Sequence, residues 1–380
     1  MSIDALNHID WDFPRATGTG DAIQSSHWFP GNYIGQIPSS LIQALSAPGD
    51  LIMDPFSGSG TTAVEALRLD RNVIASDRIL ACVMISAGKV ALQNGALSKS
   101  LVERLLEQLV WRNLCATDAV GRRNEGASPE LESWFAPSTL AQLRFLWQLV
   151  EKEIGLSKAA LSLVFSDTLY ACSSPGHATT ASGNKRRHHW GWVADNVKPK
   201  QLVEHDAVAM FETRLLELAA ANLMKRGGRA FVLCQDARTL AQPSSCVDMI
   251  VTSPPYVSMI DYTRANRLFY TWMGWNIDEQ REQEIGARYK RQRRNAASDY
   301  VMQMKACWTE IHRVMKVGAY CALVIGESRK YPGTVDQTVA DLESMMPRVW
   351  GPRHRVPSRR RVSDRASNPS VETLYVFQKS

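Results

Sequence analysis

Ser253, Pro254, Pro255 and Tyr256 present a hydroxyl, stiff backbone carbonyls and an aromatic ring within four consecutive residues. Such a set suits the grip on a flat heterocycle that carries an exocyclic amine. The four follow Asp248-Met249-Ile250-Val251-Thr252, an apolar run of the length of one buried strand. Each proline lacks an N–H and has a fixed φ, so the strand ladder stops there and the chain leaves in a rigid, extended turn. Open α/β sheets bind their ligands at the carboxyl ends of strands. A strand-ending turn with a packed tyrosine is the plain alternative for these residues taken alone.

A second set lies far upstream. Leu51-Ile52-Met53 reads as a buried strand ending in Asp54-Pro55-Phe56-Ser57-Gly58-Ser59-Gly60-Thr61-Thr62, with a helix expected from Ala63 to about Leu69. Gly58 and Gly60 let the backbone approach a ligand closely, and the helix start offers free N–H groups. A next strand, Asn72 to Ser76, ends at Asp77, about 17 residues after Gly60. A carboxylate there can accept both hydroxyls of a ribose. No Gly-Lys-Ser/Thr follows the glycines, so a triphosphate is not the expected ligand.

These sets need a sheet to bring them together, and 380 residues provide for one large elaborated domain or two. Arg229 to Cys234, ending at Gln235-Asp236-Ala237, reads as a third strand, Asp248 to Val251 as a fourth, Ala319 to Gly326 as a fifth and Thr373 to Phe377 as a terminal one. Helices are expected through Leu41, Ile42 and Leu45, from about Ser298 to Met315, and near Val335 to Met345. Between Ile79 and Lys225 the strand–helix alternation stops. Leu101, Leu105, Leu106 and Leu109 fall at helical spacing, as do Leu140, Leu143, Leu146 and Leu149 with Ser138 as N-cap. Further helices are expected from about Ala159 to Ala171 and from Val203 to Met224, the latter closed by Gly227-Gly228. Residues 1–26 are polar and aperiodic and read as a mobile lead-in.

No apolar run approaches a membrane span, and the start, with Asp4, Asp10 and Asp12, lacks the basic and apolar regions of a leader; a cytoplasmic chain is expected. Seven cysteines form no CxxC pair, so neither a metal site nor a disulfide framework is expected. The formal charge of +6, with pI near 8.9, is concentrated. One cluster is Lys185, Arg186 and Arg187 beside Trp190 and Trp192; a second includes Arg291, Arg293 and Arg294; a third runs from Arg353 and Arg355 through Arg359, Arg360 and Arg361. Three such clusters favour a polyanionic partner bound with strong salt dependence. The first sits in a long Ser-, Gly- and His-rich stretch, Ser173 to Lys200, where basic residues beside tryptophans suit phosphate contact with base stacking.

The Asp54-to-Thr62 and Thr252-to-Tyr256 motifs resemble those of the S-adenosylmethionine-dependent DNA amino-methyltransferases, which methylate cytosine N4 or adenine N6. The resemblance extends to His27 through Pro38 and to Asp261-Tyr262 through Arg267. It implies an α/β fold, a class I methyltransferase (Rossmann-like) sheet, mostly parallel and seven-stranded, with a large mainly helical insertion. Residues 27–82 and 226–380 would form the S-adenosylmethionine-binding catalytic domain, and 83–225 the target-recognition region. By the same resemblance Asp54, Phe56, Gly58 and Gly60, with Tyr33, Thr61 and Thr62, line the methionine end of S-adenosyl-L-methionine. Asp77 holds its ribose, Asp236 meets the adenine amine, and His27 to Tyr33 close over the methionine carboxylate. Arg264 and Arg267 join the basic clusters as expected nucleic-acid contacts.

The chemistry also follows from the residues. An exocyclic cytosine amine is a poor nucleophile because its lone pair is delocalised into the ring. Acceptors on its hydrogens, Ser253 Oγ and the Pro254 carbonyl, would draw the nitrogen towards tetrahedral geometry, with Tyr256 stacked on the base. Orientation supplies the acceleration, and a duplex base must be flipped out to reach the site. Adenine members of the resembled family usually have Asp in place of Ser253, so cytosine N4 in duplex DNA is the expected target. Methylation at cytosine C5 needs a cysteine after a proline, and none is present. A role in restriction–modification or phage defence with cognate proteins is expected; monomer and homodimer both stand. Adenine N6 methylation, an RNA amino-methyltransferase and a catalytically dead binding module are the alternatives.

Overall fold

The computed structural model describes residues 2–13, 21–115, 128–174, 193, 196–221, 227–328, 330–356 and 371–380. Helices α1 (Gln36–Leu45), α2 (Thr61–Arg68) and α3 (Leu80–Gln93) alternate with strands β1 (Leu51–Asp54) and β2 (Asn72–Asp77). Helices α4 (Lys99–Cys115), α5 (Pro129–Glu132), α6 (Pro137–Glu151), α7 (Gly155–Cys172) and α8 (Ala207–Ala220) come before β3 (Ala230–Cys234) and β4 (Val247–Thr252). Short helices α9 (Tyr262–Ala265), α10 (Arg267–Met273) and α11 (Ile277–Gln283) lead into α12 (Ala296–Val314) and β5 (Met315–Gly326). The chain closes with α13 (Thr334–Glu343), β6 (Arg348–Arg355) and β7 (Glu372–Gln378).

The strands form one sheet in the order β3-β2-β1-β4-β5-β7-β6. Neighbours are parallel from β3 to β5, while β7 runs antiparallel between β5 and β6. Side chains along a strand alternate between faces, and both faces are covered. Ile52, Met249, Val251, Ala322 and Val324 pack with Leu41, Ile42, Ala63 and Leu67 of α1 and α2. Met53, Ile250, Cys321, Leu323 and Ile325 pack with Met304, Trp308, Ile311 and Leu342 of α12 and α13. Two-sided burial is why β1, β4 and β5 read as continuous apolar runs.

The helices between β2 and β3 enclose a third core. Leu105, Leu109, Leu140, Leu143, Leu146, Leu161, Phe165 and Phe211 are essentially inaccessible there. Each such side chain contributes about 1.5–3 kcal/mol of burial, against ordering entropy. Ile85, Ala91 and Leu92 of α3 belong to this core, whereas Val90 of the same helix packs against the sheet. Thus α3 joins the insertion to the sheet, and the insertion returns to β3 at the sheet edge, beside β2.

Several expectations need correction. The start of the chain is not a mobile lead-in over residues 2–13: a 3-10 turn over Ile3–His8 buries Leu6, and Trp11 is 1% exposed. Trp11 donates its indole N–H to the Leu6 carbonyl at 3.0 Å and packs on Trp350, ring centres 5.6 Å apart. Ser138 does not cap α6, which starts two residues earlier than such a cap implies, with Pro137 in its first turn and Ala136 at the cap; proline at that position loses no helical hydrogen bond. α8 spans Ala207–Ala220, with Asp206 accepting from the Ala209 N–H at 3.0 Å, so it begins later than Val203 and closes before Gly227. β5 starts at Met315, directly after α12. β6 was not assigned from sequence: its Arg353 and Arg355 fell in the third basic cluster, but an edge strand tolerates proline and charge.

Candidate active site

The sheet order reverses between β1 and β4, which lie side by side with Ile52 opposite Met249 and Met53 opposite Ile250. That switch point is where a doubly wound sheet opens a crevice. It brings together the two sequence motifs, 198 positions apart, through one bond: Thr252 Oγ1 donates to Asp54 Oδ1 at 2.6 Å. Thr62 Oγ1, at the start of α2, donates to Asp54 Oδ2 at 2.5 Å, and the Phe56 N–H reaches Asp54 Oδ1 at 3.1 Å. Since the Thr62 proton is used on Asp54, the Tyr33 hydroxyl donates to Thr62. Asp54 is 1% exposed, and burial pushes its carboxyl up to about 6 although all three donors pull it down. It acts as a brace under the site.

Gly60 adopts φ +80° as α2 begins, and a Cβ there would stand 2.9 Å from the Ser86 Cα. Only glycine permits both that conformation and that approach of α3. Asp77, half-buried at the end of β2, accepts from the Gly58 N–H at 3.0 Å and the Ile79 N–H at 2.9 Å, one bond to each oxygen. Each oxygen keeps a lone pair for a ligand hydroxyl. Burial pushes the Asp77 carboxyl up to about 6. Asp236 follows β3 and is gripped by the Arg238 guanidinium, 2.9 Å to Oδ1 and 2.5 Å to Oδ2. Burial opposes ionisation of Asp236, but the Arg238 contacts win and hold its carboxyl below the usual value.

After β4, Ser253 Oγ lies 3.4 Å from Tyr256 Oη, and Tyr300 of α12 donates its hydroxyl to the Pro255 carbonyl at 3.0 Å. The turn is thereby held against the α12 layer. The segment before α1 closes from the other side. His27 Nε2 lies 3.0 Å from Ser166 Oγ, and the Trp28 N–H reaches Asp167 of α7 at 3.3 Å. Phe29 stacks on Tyr262, ring centres 5.5 Å apart.

These elements enclose one cleft. Of the residues expected from sequence, Tyr33, Phe56, Gly58, Thr61, Asp77, Asp236, Ser253 and Pro255 line it. Asp54, Gly60, Thr62, Pro254 and Tyr256 adjoin these lining residues in the chain without lining the cleft themselves, Pro254 buried and Tyr256 half-buried. Asn32, Ser59, Ile79, Cys82, Tyr262, Gln283 and Glu284 also line it, unanticipated as individual contacts. Gln283 Oε1 is buried without a partner among the described residues, and Glu284 accepts from the Thr263 N–H at 2.6 Å and the Tyr262 N–H at 3.2 Å. Burial, and then the Asp261 carboxylate, push the Glu284 carboxyl up. Nothing in the charged stretch around Asp278 to Glu284 marks it in sequence as a cleft wall. Apolar faces at Phe56 and Ile79, a diol acceptor at Asp77 and an unused amide oxygen fit an adenosine-containing cofactor.

The basic residues divide. Arg291, Arg293 and Arg294 are exposed, with Arg293 3.0 Å from Glu282. Arg264 is half-buried, and Arg267 is ion-paired with Glu130 of α5. Arg355 is 3% exposed, paired with Glu372 and donating to the Trp11 carbonyl at 2.9 Å, so it belongs to the interior of the β6 edge. Lys185, Arg186, Arg187, Trp190, Trp192, Arg359, Arg360 and Arg361 lie outside the described residues. No helix among the described residues is long and apolar enough to cross a membrane.

The strand order, the single reversed strand and the cleft at the switch point define a class I methyltransferase fold. Residues 14–86 match the family of N6/N4 methyltransferases described as DNA methylase. A Type II methyltransferase, M2.MboI of Moraxella bovis, is 37% identical over 76 residues, 20% of this chain and 27% of that protein. The match therefore spans about a quarter of that relative's length. TrmN from Thermus thermophilus aligns at 12% identity over 92% of this chain and 50% of its own, TM-score 0.35. The rRNA methyltransferase AviRa from Streptomyces viridochromogenes aligns at 12% identity over 98% and 94%, TM-score 0.34. The matched segment contains the glycine-loop motif, and over that segment the chain is similar to S-adenosylmethionine-dependent amino-methyltransferases.

Proposed function

We propose that this chain methylates the N4 amine of cytosine in a specific duplex DNA sequence, with the base flipped into the cleft, in restriction–modification or phage defence. S-adenosylmethionine, when bound, supplies an electrophilic methyl group on a positively charged sulfur. Asp77 would hold its ribose, Asp236 the adenine amine, and Tyr33, Gly58 and Thr61 its amino-acid end, with Asp54 and Thr62 bracing them. The observation that carries this reading is the Thr252–Asp54 bond, which ties the Ser253 turn to the glycine-loop cleft.

Ser253 can give its proton to Tyr256 Oη, keeping lone pairs on Oγ for the hydrogens of the target amine. The Pro254 carbonyl, fixed between two rigid rings, would be the second acceptor, and Tyr256 the stacking face. Two acceptors on one amine favour a pyramidal nitrogen aimed along one direction, which is catalysis by orientation. The carboxyl-rich alternative for adenine would place Asp where Ser253 stands. Arg291, Arg293 and Arg294 are exposed and suited to phosphate contact, and the helices within 83–225 are the candidate target-recognition region.

The test is transfer of labelled methyl from S-adenosylmethionine to duplex DNA, followed by nucleoside analysis. N4-methylcytosine is expected, and Pro254→Ala and Tyr256→Ala should each reduce transfer by about a hundredfold, the scale of a misplaced reactant. N6-methyladenine as product, or transfer to structured RNA in place of duplex DNA, would overturn the substrate assignment. Full activity in both variants would overturn the roles given to the turn.

A further inference from the structure

Lys89 of α3 is 0% exposed, and its ammonium is used by nothing described so far. Its Nζ donates to the Gln24 carbonyl at 2.9 Å and approaches Ser59 Oγ at 3.4 Å. Both partners are neutral. The nearby carboxylates, Asp21 and Glu65, are ion-paired with Arg68, and among the described residues Lys89 forms no ion pair. His27, buried on the same side, is kept neutral by burial and by Lys89, its imidazole pulled down to about 3. Asp21, already shared with Arg68, favours the Lys89 charge but does not outweigh its desolvation, so an ammonium kept here is costly unless a further anion arrives.

Ser59 shows where that charge is directed. Ser59 sits between the two glycines, lines the cleft, and donates its hydroxyl to Asn32 Oδ1 at 2.6 Å. Asn32 and Tyr33 line the cleft with Ser59, whereas Asp77, Asp236 and Glu284 belong to other elements of its wall. Lys89 therefore stands one hydroxyl behind the glycine loop, on the side closed by residues 27–33. We propose that Lys89 is a buried positioning residue that supplies the counter-charge for the carboxylate of the bound amino-acid moiety, acting through Ser59 and Asn32. This rests on the reading of the cleft as an S-adenosylmethionine site. Desolvation pulls the Lys89 ammonium down to about 7, so an arriving anion would restore the charge that burial weakens.

Calorimetry with two ligands tests this. S-adenosylhomocysteine carries the carboxylate, and 5′-methylthioadenosine lacks the amino-acid end. Lys89→Met should weaken S-adenosylhomocysteine by roughly tenfold or more, the scale of one charge-assisted interaction, and leave 5′-methylthioadenosine within about twofold. Ser59→Ala should reproduce the selective loss, and Lys89→Met added to it should cost little more, because both act in one relay. The ligand-free Lys89→Met protein should melt close to wild type, since an apolar isostere relieves the isolated charge. Equal weakening of both ligands in Lys89→Met or in Ser59→Ala would overturn the proposal and make these residues structural. Failure of the wild-type protein to bind either ligand would instead remove the cofactor reading, and this inference with it.

Discussion

The Asp54 carboxylate receives hydroxyl protons from Thr62 and Thr252 and an amide proton from Phe56, yet burial still raises its pKa to about 6. A raised carboxyl contributes most to stability below its unfolded value of 3.8 and loses that contribution as pH rises through 6. The shift of 6 − 3.8 corresponds to about 3 kcal/mol at most. Asp54→Asn cannot titrate, so the stability of wild type relative to this variant should fall by up to that amount between pH 4 and 7. Urea unfolding at a series of pH values measures it, and a pH-independent difference would contradict the assignment. Ser253 is a different kind of residue, on the wall and half-buried. Ser253→Ala removes one acceptor, and methyl transfer should drop by roughly tenfold, the scale of one hydrogen bond, with little change in cofactor affinity. Steady-state kinetics separate the two quantities.

At the scale of elements, the contact between α2 and α3 depends on Gly60. Gly60→Ala combines a left-handed conformation with a Cβ 2.9 Å from backbone of α3, and should destabilise by about 2 kcal/mol or more. Thermal melting would detect it, together with weaker cofactor binding because the loop moves. The edge formed by β6 is secured differently. Arg355 is paired with Glu372 and bonded to the Trp11 carbonyl, tying the start of the chain to the last two strands. Arg355→Met leaves the half-buried Glu372 without this partner and the Trp11 carbonyl without this donor, and should cost about 1–3 kcal/mol in a denaturant titration. The same residue read in sequence as one of a basic cluster; its depth is a property of the sheet edge alone.

Over the whole molecule, the net charge of +6 matters through what remains exposed. Arg355 and the Glu130-paired Arg267 are committed to the fold, while Arg291, Arg293 and Arg294 face water. Replacing those three with alanine should leave stability within about 0.5 kcal/mol, as for ordinary surface positions. DNA affinity should fall, and the log–log salt slope should decrease by about 2–3 if all three meet phosphates. Binding measured at several salt concentrations decides it; an unchanged slope would remove this segment from the interface.

The central strands and the two motifs were legible in the sequence because their causes are local. Continuous apolar runs mark strands buried on both faces, paired prolines end a ladder, and closely spaced glycines mark a turn. Those features located β1 and β4, the glycine loop, Asp77 and the Ser253 turn, and with them the class of chemistry. Tertiary structure decided what depends on partners distant along the chain. The Thr252–Asp54 bond exists only because β1 and β4 are neighbours in the sheet, and Lys89 is buried only because α3 joins sheet and insertion. Trp11 is core because Trp350 of β6 packs on it, and Gln283 and Glu284 are cleft wall because the end of α11 meets the cleft that Asp77 of β2 also lines. Hydrophobic periodicity reports which residues avoid water. It carries no record of which buried polar groups meet, and that pairing forms the site.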